Sequence, residues 1–133
     1  MKRTALLLAV LAFGCGDSST DVAATAHVGT YTLRTIDNAP LPVTILVEGT
    51  ASLVITAGSV NLNSDATFTD RTDYQIVSGT TTISDSDVAA GTYTRNGSTI
   101  ELRTSDGGVY SMAFSNGNTL TQTFEGSVLV YRK

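Results

Sequence analysis

The chain has 133 residues, twelve of them acidic and eight basic, with one histidine, one cysteine and no tryptophan. No cluster of Lys or Arg offsets that acidity, so a nucleic-acid backbone is excluded as a partner, and a lone Cys excludes an internal disulfide. The length allows one modest core and no second domain.

Lys2 and Arg3 open the chain, and Thr4 to Phe13 is an uncharged apolar run. It is about half of the roughly 20 residues that span a bilayer, so residues 1–14 read as a signal peptide rather than a membrane helix. The run ends Leu11-Ala12-Phe13-Gly14-Cys15, which resembles the lipobox of bacterial lipoproteins, with Ala12 and Phe13 departing from its commonest form. The resemblance implies that Cys15 is acylated and becomes the mature N-terminus, holding the protein to a membrane of the cell envelope. In that family an Asp directly after the Cys favours the inner membrane. Here Gly16 stands there, and the expectation is the outer membrane. Removal of Lys2 and Arg3 with the leader leaves six basic against twelve acidic residues, a net charge of −6, so the anchor is the lipid and not a basic patch. Residues 15–28 are small and polar enough to read as a flexible tether, with His27 as a solvated linker residue.

The folded domain is expected over residues 29–133. A strand over Thr30 to Ile36 places Tyr31 and Leu33 on one face and stops at Asp37-Asn38-Ala39-Pro40. Pro42 opens a second, in which Val43, Ile45 and Val47 alternate with Thr44, Leu46 and Glu48, and Glu48-Gly49-Thr50 turns the chain. Ser52 to Asn63 carries Gly58 in its middle, which predicts a bent strand with a bulge. In Ala66 to Val77, Phe68, Tyr74 and Ile76 share a face with Asp70 and Thr72; either those two polar residues point into a lumen or the strand end is solvated, and the solvated end is preferred. Ser78 to Asp87 reads as the longest loop, with one short strand around Thr80 to Ile83.

From Gly91 onward, Asn96-Gly97, Asp106-Gly107-Gly108, Asn116-Gly117-Asn118 and Glu125-Gly126 separate alternating runs, the strongest short-range hairpin signal, with type I′ turns expected at Asn-Gly and Asp-Gly. Tyr110, Met112 and Phe114 fall on one face, and Val109, Ser111, Ala113 and Ser115 on the other. The expected class is all-β: an up-and-down antiparallel meander closing into an eight- to nine-stranded barrel, since closure removes exposed edges. A β-sandwich is the alternative, disfavoured because Greek keys need long crossovers.

Gly29-Thr30-Tyr31 resembles the Gly-x-Trp that opens the first strand of lipocalins, and Arg132 stands where their arginine covers that aromatic, so the domain is similar to the lipocalin-like domains of small bacterial lipoproteins. Thr72-Asp73-Tyr74 copies a lipocalin tripeptide too early in the chain and is treated as chance, and no C-terminal helix follows the last strand. The resemblance implies a non-enzymatic carrier or sensor of a small hydrophobic or amphipathic ligand.

Catalytic chemistry has little to work with. Cys15 belongs to the lipid and His27 to the tether, so Ser-His and Cys-His nucleophiles, His-based metal sites and cofactors are not expected. Asp85-Ser86-Asp87 has calcium-loop spacing but lacks the Gly and closing Glu such a loop needs. What remains is the barrel interior. Phe68, Tyr74, Tyr93, Tyr110, Met112, Phe114 and Phe124 should point inward, with Gln122 on the face of Phe124. An eight-stranded barrel is just wide enough to be filled by side chains or to hold one small ligand. A filled core suits so small a domain; a pocket in which Gln122 or a tyrosine hydroxyl orients a ligand is the functional reading. A third possibility is a packed module whose surface or rim loops, chiefly Ser78 to Val88, contact another envelope protein or inhibit an enzyme.

Overall fold

A computed structural model describes residues 25–133; the leader, Cys15 and most of the expected tether lie outside them. From Gly29 onward every element is a strand: β1 Gly29–Ile36, β2 Ala39–Pro40, β3 Val43–Glu48, β4 Ala51–Leu62, β5 Thr67–Ser78, β6 Thr81–Asn96, β7 Thr99–Thr104, β8 Val109–Ser115, β9 Thr119–Phe124 and β10 Ser127–Arg132. Consecutive strands pair antiparallel from β3 to β10; β10 then pairs with β1 and β1 with β4, closing eight strands into a barrel with β2 and β3 as extras. The expected meander and its closure are therefore present.

The closure is staggered. Only the C-terminal half of β4 meets β1, Leu62 opposite Gly29 and Ser59 opposite Thr32, while its N-terminal half pairs with β3. The switch is marked by the expected bulge, a register shift between Ile55 and Ala57, next to Gly58, where a Cβ would come within 3.0 Å of Leu33. Beyond it β3, β4, β5 and β6 run on as a sheet that projects past the barrel.

That projection corrects the expected loop. Although their first half is rich in Ser, Thr and Asp, residues 81–96 form one continuous strand of 16 residues, which pairs over residues 81–92 with the whole of β5, from Ser78–Thr81 to Thr67–Thr92. That first half is largely exposed on both faces, so no alternation of polar and apolar residues was required to specify it; the ladder to β5 and the turn at Gly79-Thr80 hold it. No rim loop exists at residues 78–88. Near its other end β6 passes so close to β7 that a Cβ on Gly91 would lie 1.9 Å from the Arg103 carbonyl oxygen, and the Phe68 aromatic stands directly across the pair from the glycine.

Two turns also differ. At Asn96-Gly97 and Asp106-Gly107 the left-handed residue is the glycine alone, with φ of 62° and 97°. Gly97 is the first central residue of a Gly97-Ser98 turn in the manner of type II′. Two successive positive φ values, as type I′ requires, occur at Asn116-Gly117, one of the expected Asn-Gly corners, and also at Asp37-Asn38 and Glu125-Gly126.

The core is built from inward positions of every barrel strand: Tyr31 and Leu33 on β1, Val60 and Leu62 on β4, Phe68 on β5, Tyr93 on β6, Ile100 and Leu102 on β7, Met112 and Phe114 on β8, Leu120 on β9 and Tyr131 on β10. Tyr110, Met112 and Phe114 do face inward, with Val109, Ser111, Ala113 and Ser115 exposed.

Candidate functional site

The two ends of the barrel differ, and the difference locates the site. At one end the residues before β1 fold across the opening. His27, expected to be solvated, is 8% exposed. Its ring meets Tyr93 and Phe114 edge-on, with centroids 5.5 and 6.4 Å away. Nδ1 lies 3.2 Å from an Arg95 guanidinium nitrogen and Nε2 3.2 Å from the Tyr93 hydroxyl, which donates at 2.6 Å to the Asn63 carbonyl. A neutral ring protonated on Nε2 satisfies all three groups. The Tyr31 hydroxyl donates to the His27 carbonyl at 2.7 Å and is pushed up to about 12 by burial first and the Tyr93 hydroxyl second. The Lys133 ammonium lies 5.3 Å from the centre of the Tyr31 ring and donates to the carbonyls of Ala26 and Val28; Arg132, expected to cover Tyr31, is exposed to solvent. This end is shut.

The other end holds a cavity of about 650 Å³. Its floor is Leu33, Asp70 and Tyr131; its walls are Ile36, Ile55, Thr72, Tyr74, Asp87, Gln122 and Leu129; and Ile45, Leu53, Ile76, Phe124, Glu125 and Ser127 ring the mouth. The projecting sheet supplies one wall, because the strict alternation that puts Phe68 in the core carries Asp70, Thr72, Tyr74 and Ile76 up the same face of β5. The preferred reading of Asp70 and Thr72 as a solvated strand end is thereby corrected: both line the lumen.

Of the candidate ligand contacts, Tyr74, Gln122 and Phe124 line the cavity, Phe124 at the mouth and 56% exposed. Phe68 and Met112 are packed beneath the floor, and Tyr93 and Phe114 belong to the shut end, against His27. Tyr110 sits between the two sets. Its ring stacks edge-on against Phe68, and its hydroxyl donates to Asp70 Oδ2 at 2.8 Å.

Asp70 is the residue for which sequence reasoning had no signal strong enough. Burial raises its carboxyl above the ordinary carboxylate value, and the Tyr110 hydrogen bond pulls in the opposite direction. Its second oxygen, Oδ1, is buried without a hydrogen-bond partner among the described residues. Burial, and next the Asp70 charge, drive the Tyr110 and Tyr131 hydroxyls far above the normal tyrosine range, so both remain protonated donors at any physiological pH. Asp85 and Asp87, weighed as a calcium loop, instead sit two apart on β6, Asp87 across from Thr72 in the cavity wall. Among the described residues no group of three or more His, Cys, Asp or Glu is placed to hold a metal ion.

Set against protein families, curated proteins and solved structures, the chain matches none of them.

Proposed function

We propose that this protein is a non-enzymatic carrier or sensor that lodges a small apolar or amphipathic molecule in the open half of its barrel, as its lipocalin resemblance implies, and that a lipid on Cys15 holds it in the cell envelope, on the outer membrane where the cell has two. One observation carries the reading: a largely apolar cavity of about 650 Å³, within the range of roughly 300–1,000 Å³ typical of small-molecule sites, in a domain small enough to have filled it. The single histidine supports the same view from the other side, being engaged by Tyr93 and Arg95 at the shut end and remote from the cavity.

The test is binding of a neutral apolar dye, N-phenyl-1-naphthylamine, whose fluorescence rises in a dry site. Thr72→Trp, halfway up the wall, should fill the cavity and abolish the rise; undiminished dye binding in that variant would place the ligand elsewhere and end the cavity reading. Cys15→Ser should move the protein from the membrane fraction to the soluble one. A second reading, a module that docks on another envelope protein, is favoured by the free edge of β3, where Leu46 and Val47 are half or more exposed. It predicts that Val47→Lys, and not Thr72→Trp, removes the biological effect.

A further inference from the structure

The cavity has one sign of charge. Asp70 lies at its floor, Asp87 halfway up and Glu125 at its mouth, while among the described residues no Lys, Arg or His lines it at any depth. Arg71, the cation nearest to Asp70 in sequence, is on the opposite face of β5, held at 2.8 Å by Asp73. Asp87 and Glu125 are exposed and Asp70 is mostly buried, and together these three carboxylates repel an anionic ligand and draw in a cation.

The floor adds a specific demand. A carboxylate accepts through two oxygens, and a buried one left half-paired is costly. Asp70 Oδ2 is occupied by the Tyr110 hydroxyl, whereas Oδ1 is buried and has no partner among the described residues. Neighbouring Tyr131 is closed over by the core as well. A neutral alcohol could donate to Oδ1, but only a cation also offsets the buried charge. The mouth demands the reverse. Ile45, Ile76 and Phe124, each 42–56% exposed, leave apolar surface in water that a hydrocarbon chain would cover.

From this arrangement we propose that the cavity selects a cationic amphiphile, a protonated primary amine on an apolar chain, with its ammonium donating to Asp70 at the floor and its chain lying along Ile36, Ile55 and Leu129 toward Ile76 and Phe124. The proposal rests on the ligand-binding reading above and specifies its ligand class. Gln122, which lines the same cavity, offers the ammonium a second acceptor through its side-chain carbonyl. Because burial lifts the Asp70 carboxyl, the counter-ion is lost at a higher pH than an exposed aspartate would be. The groups facing that carboxyl are the Tyr110 and Tyr131 hydroxyls, with Asp87 and Glu125 farther along the cavity.

The experiment is calorimetric titration of the purified protein with octylamine, octanol and octanoate, three ligands with the same chain and a positive, neutral or negative head. At pH 7 octylamine should bind about tenfold or more tighter than octanol, the size of effect a charge-assisted hydrogen bond gives in a dry site, and octanoate should bind weakest. Asp70→Asn keeps the shape and the Tyr110 hydrogen bond, and should erase the preference of octylamine over octanol. Wild type supplies an independent check that needs no variant: lowering the pH through the Asp70 titration should erase the preference for the amine while octanol binding persists. Equal binding of amine and alcohol at pH 7, or a preference that survives both Asp70→Asn and acid, overturns the cationic assignment and leaves the apolar cavity standing. Binding of none of the three by a folded protein overturns the cavity reading itself, and this assignment with it.

Discussion

The two poles of this barrel are made from the same kinds of residue and end in opposite states. At the shut pole the polar groups find protein partners: His27 takes Arg95 and Tyr93, Tyr93 reaches the Asn63 carbonyl, and Phe114 lies against both the His27 ring and, at 5.0 Å, the Arg95 guanidinium. At the open pole a buried carboxylate is left with one oxygen unpartnered among the described residues, beneath about 650 Å³ of space. One pole satisfies its polar groups from within, and the other leaves a carboxylate oxygen unpaired beside free volume. A strand such as β5 serves both, giving Phe68 to the core and Asp70 to the cavity floor two residues later.

The comparison breaks most visibly at Phe114. Removing this aromatic from the shut pole by Phe114→Ala should cost about 3 to 5 kcal/mol in a urea melt, with dye binding per folded molecule intact; loss of binding in molecules that remain folded would show the poles to be coupled. Next in size is His27→Ala, which strips a partner from both Tyr93 and Arg95 and should cost about 2 kcal/mol by the same measurement. A variant that melts at the wild-type midpoint would mean the ring contributes no more than a linker residue does.

At the open pole the sign reverses. The folded-state pKa of Asp70 is raised above its unfolded value, so the native state binds the proton more tightly, and the stability linked to it is fully present below the unfolded pKa of 3.8 and is lost as pH rises through the higher folded value. Tyr110 and Tyr131, which face it, stay protonated throughout that window. Asp70→Asn relieves a half-paired buried charge, so it should melt about 1 kcal/mol more stable than wild type at pH 7 and gain nothing near pH 3.5. A variant less stable than wild type at neutral pH would mean that the carboxylate is structural. Ala113→Ser, on the solvent side of the strand that carries Phe114, should change the melt by less than about 0.5 kcal/mol and serves as the register control; a large loss there would exchange the two faces of β8.

The C-terminal meander could be read in advance because each of its strands is wetted on one face only, which writes a strict alternation into the sequence, and each corner carries a residue suited to positive φ. Tyr110, Met112 and Phe114 are legible for that reason. Residues 81–87, in the outer half of β6, were not, since they are largely exposed on both faces and leave no periodic trace. Alternation also states which face a residue occupies but not how deep. Asp70 and Phe124 share the inner face by pattern, yet one is at the cavity floor and the other at its lip. His27 lies outside any periodic run, so its burial follows from how the barrel end is covered and has no local signature. Of the candidate ligand contacts, Phe68, Tyr93, Met112 and Phe114 lie in the filled half of the same interior, a depth that alternation does not state.

Both ends of the described chain meet at the shut pole, where the Lys133 side chain reaches the backbone of Ala26 and Val28. A chain joined at Thr25 therefore enters at the pole opposite the mouth. The same polarity means that a fluorophore or an immobilising tag placed after Lys133 reports on the interior without standing in its doorway.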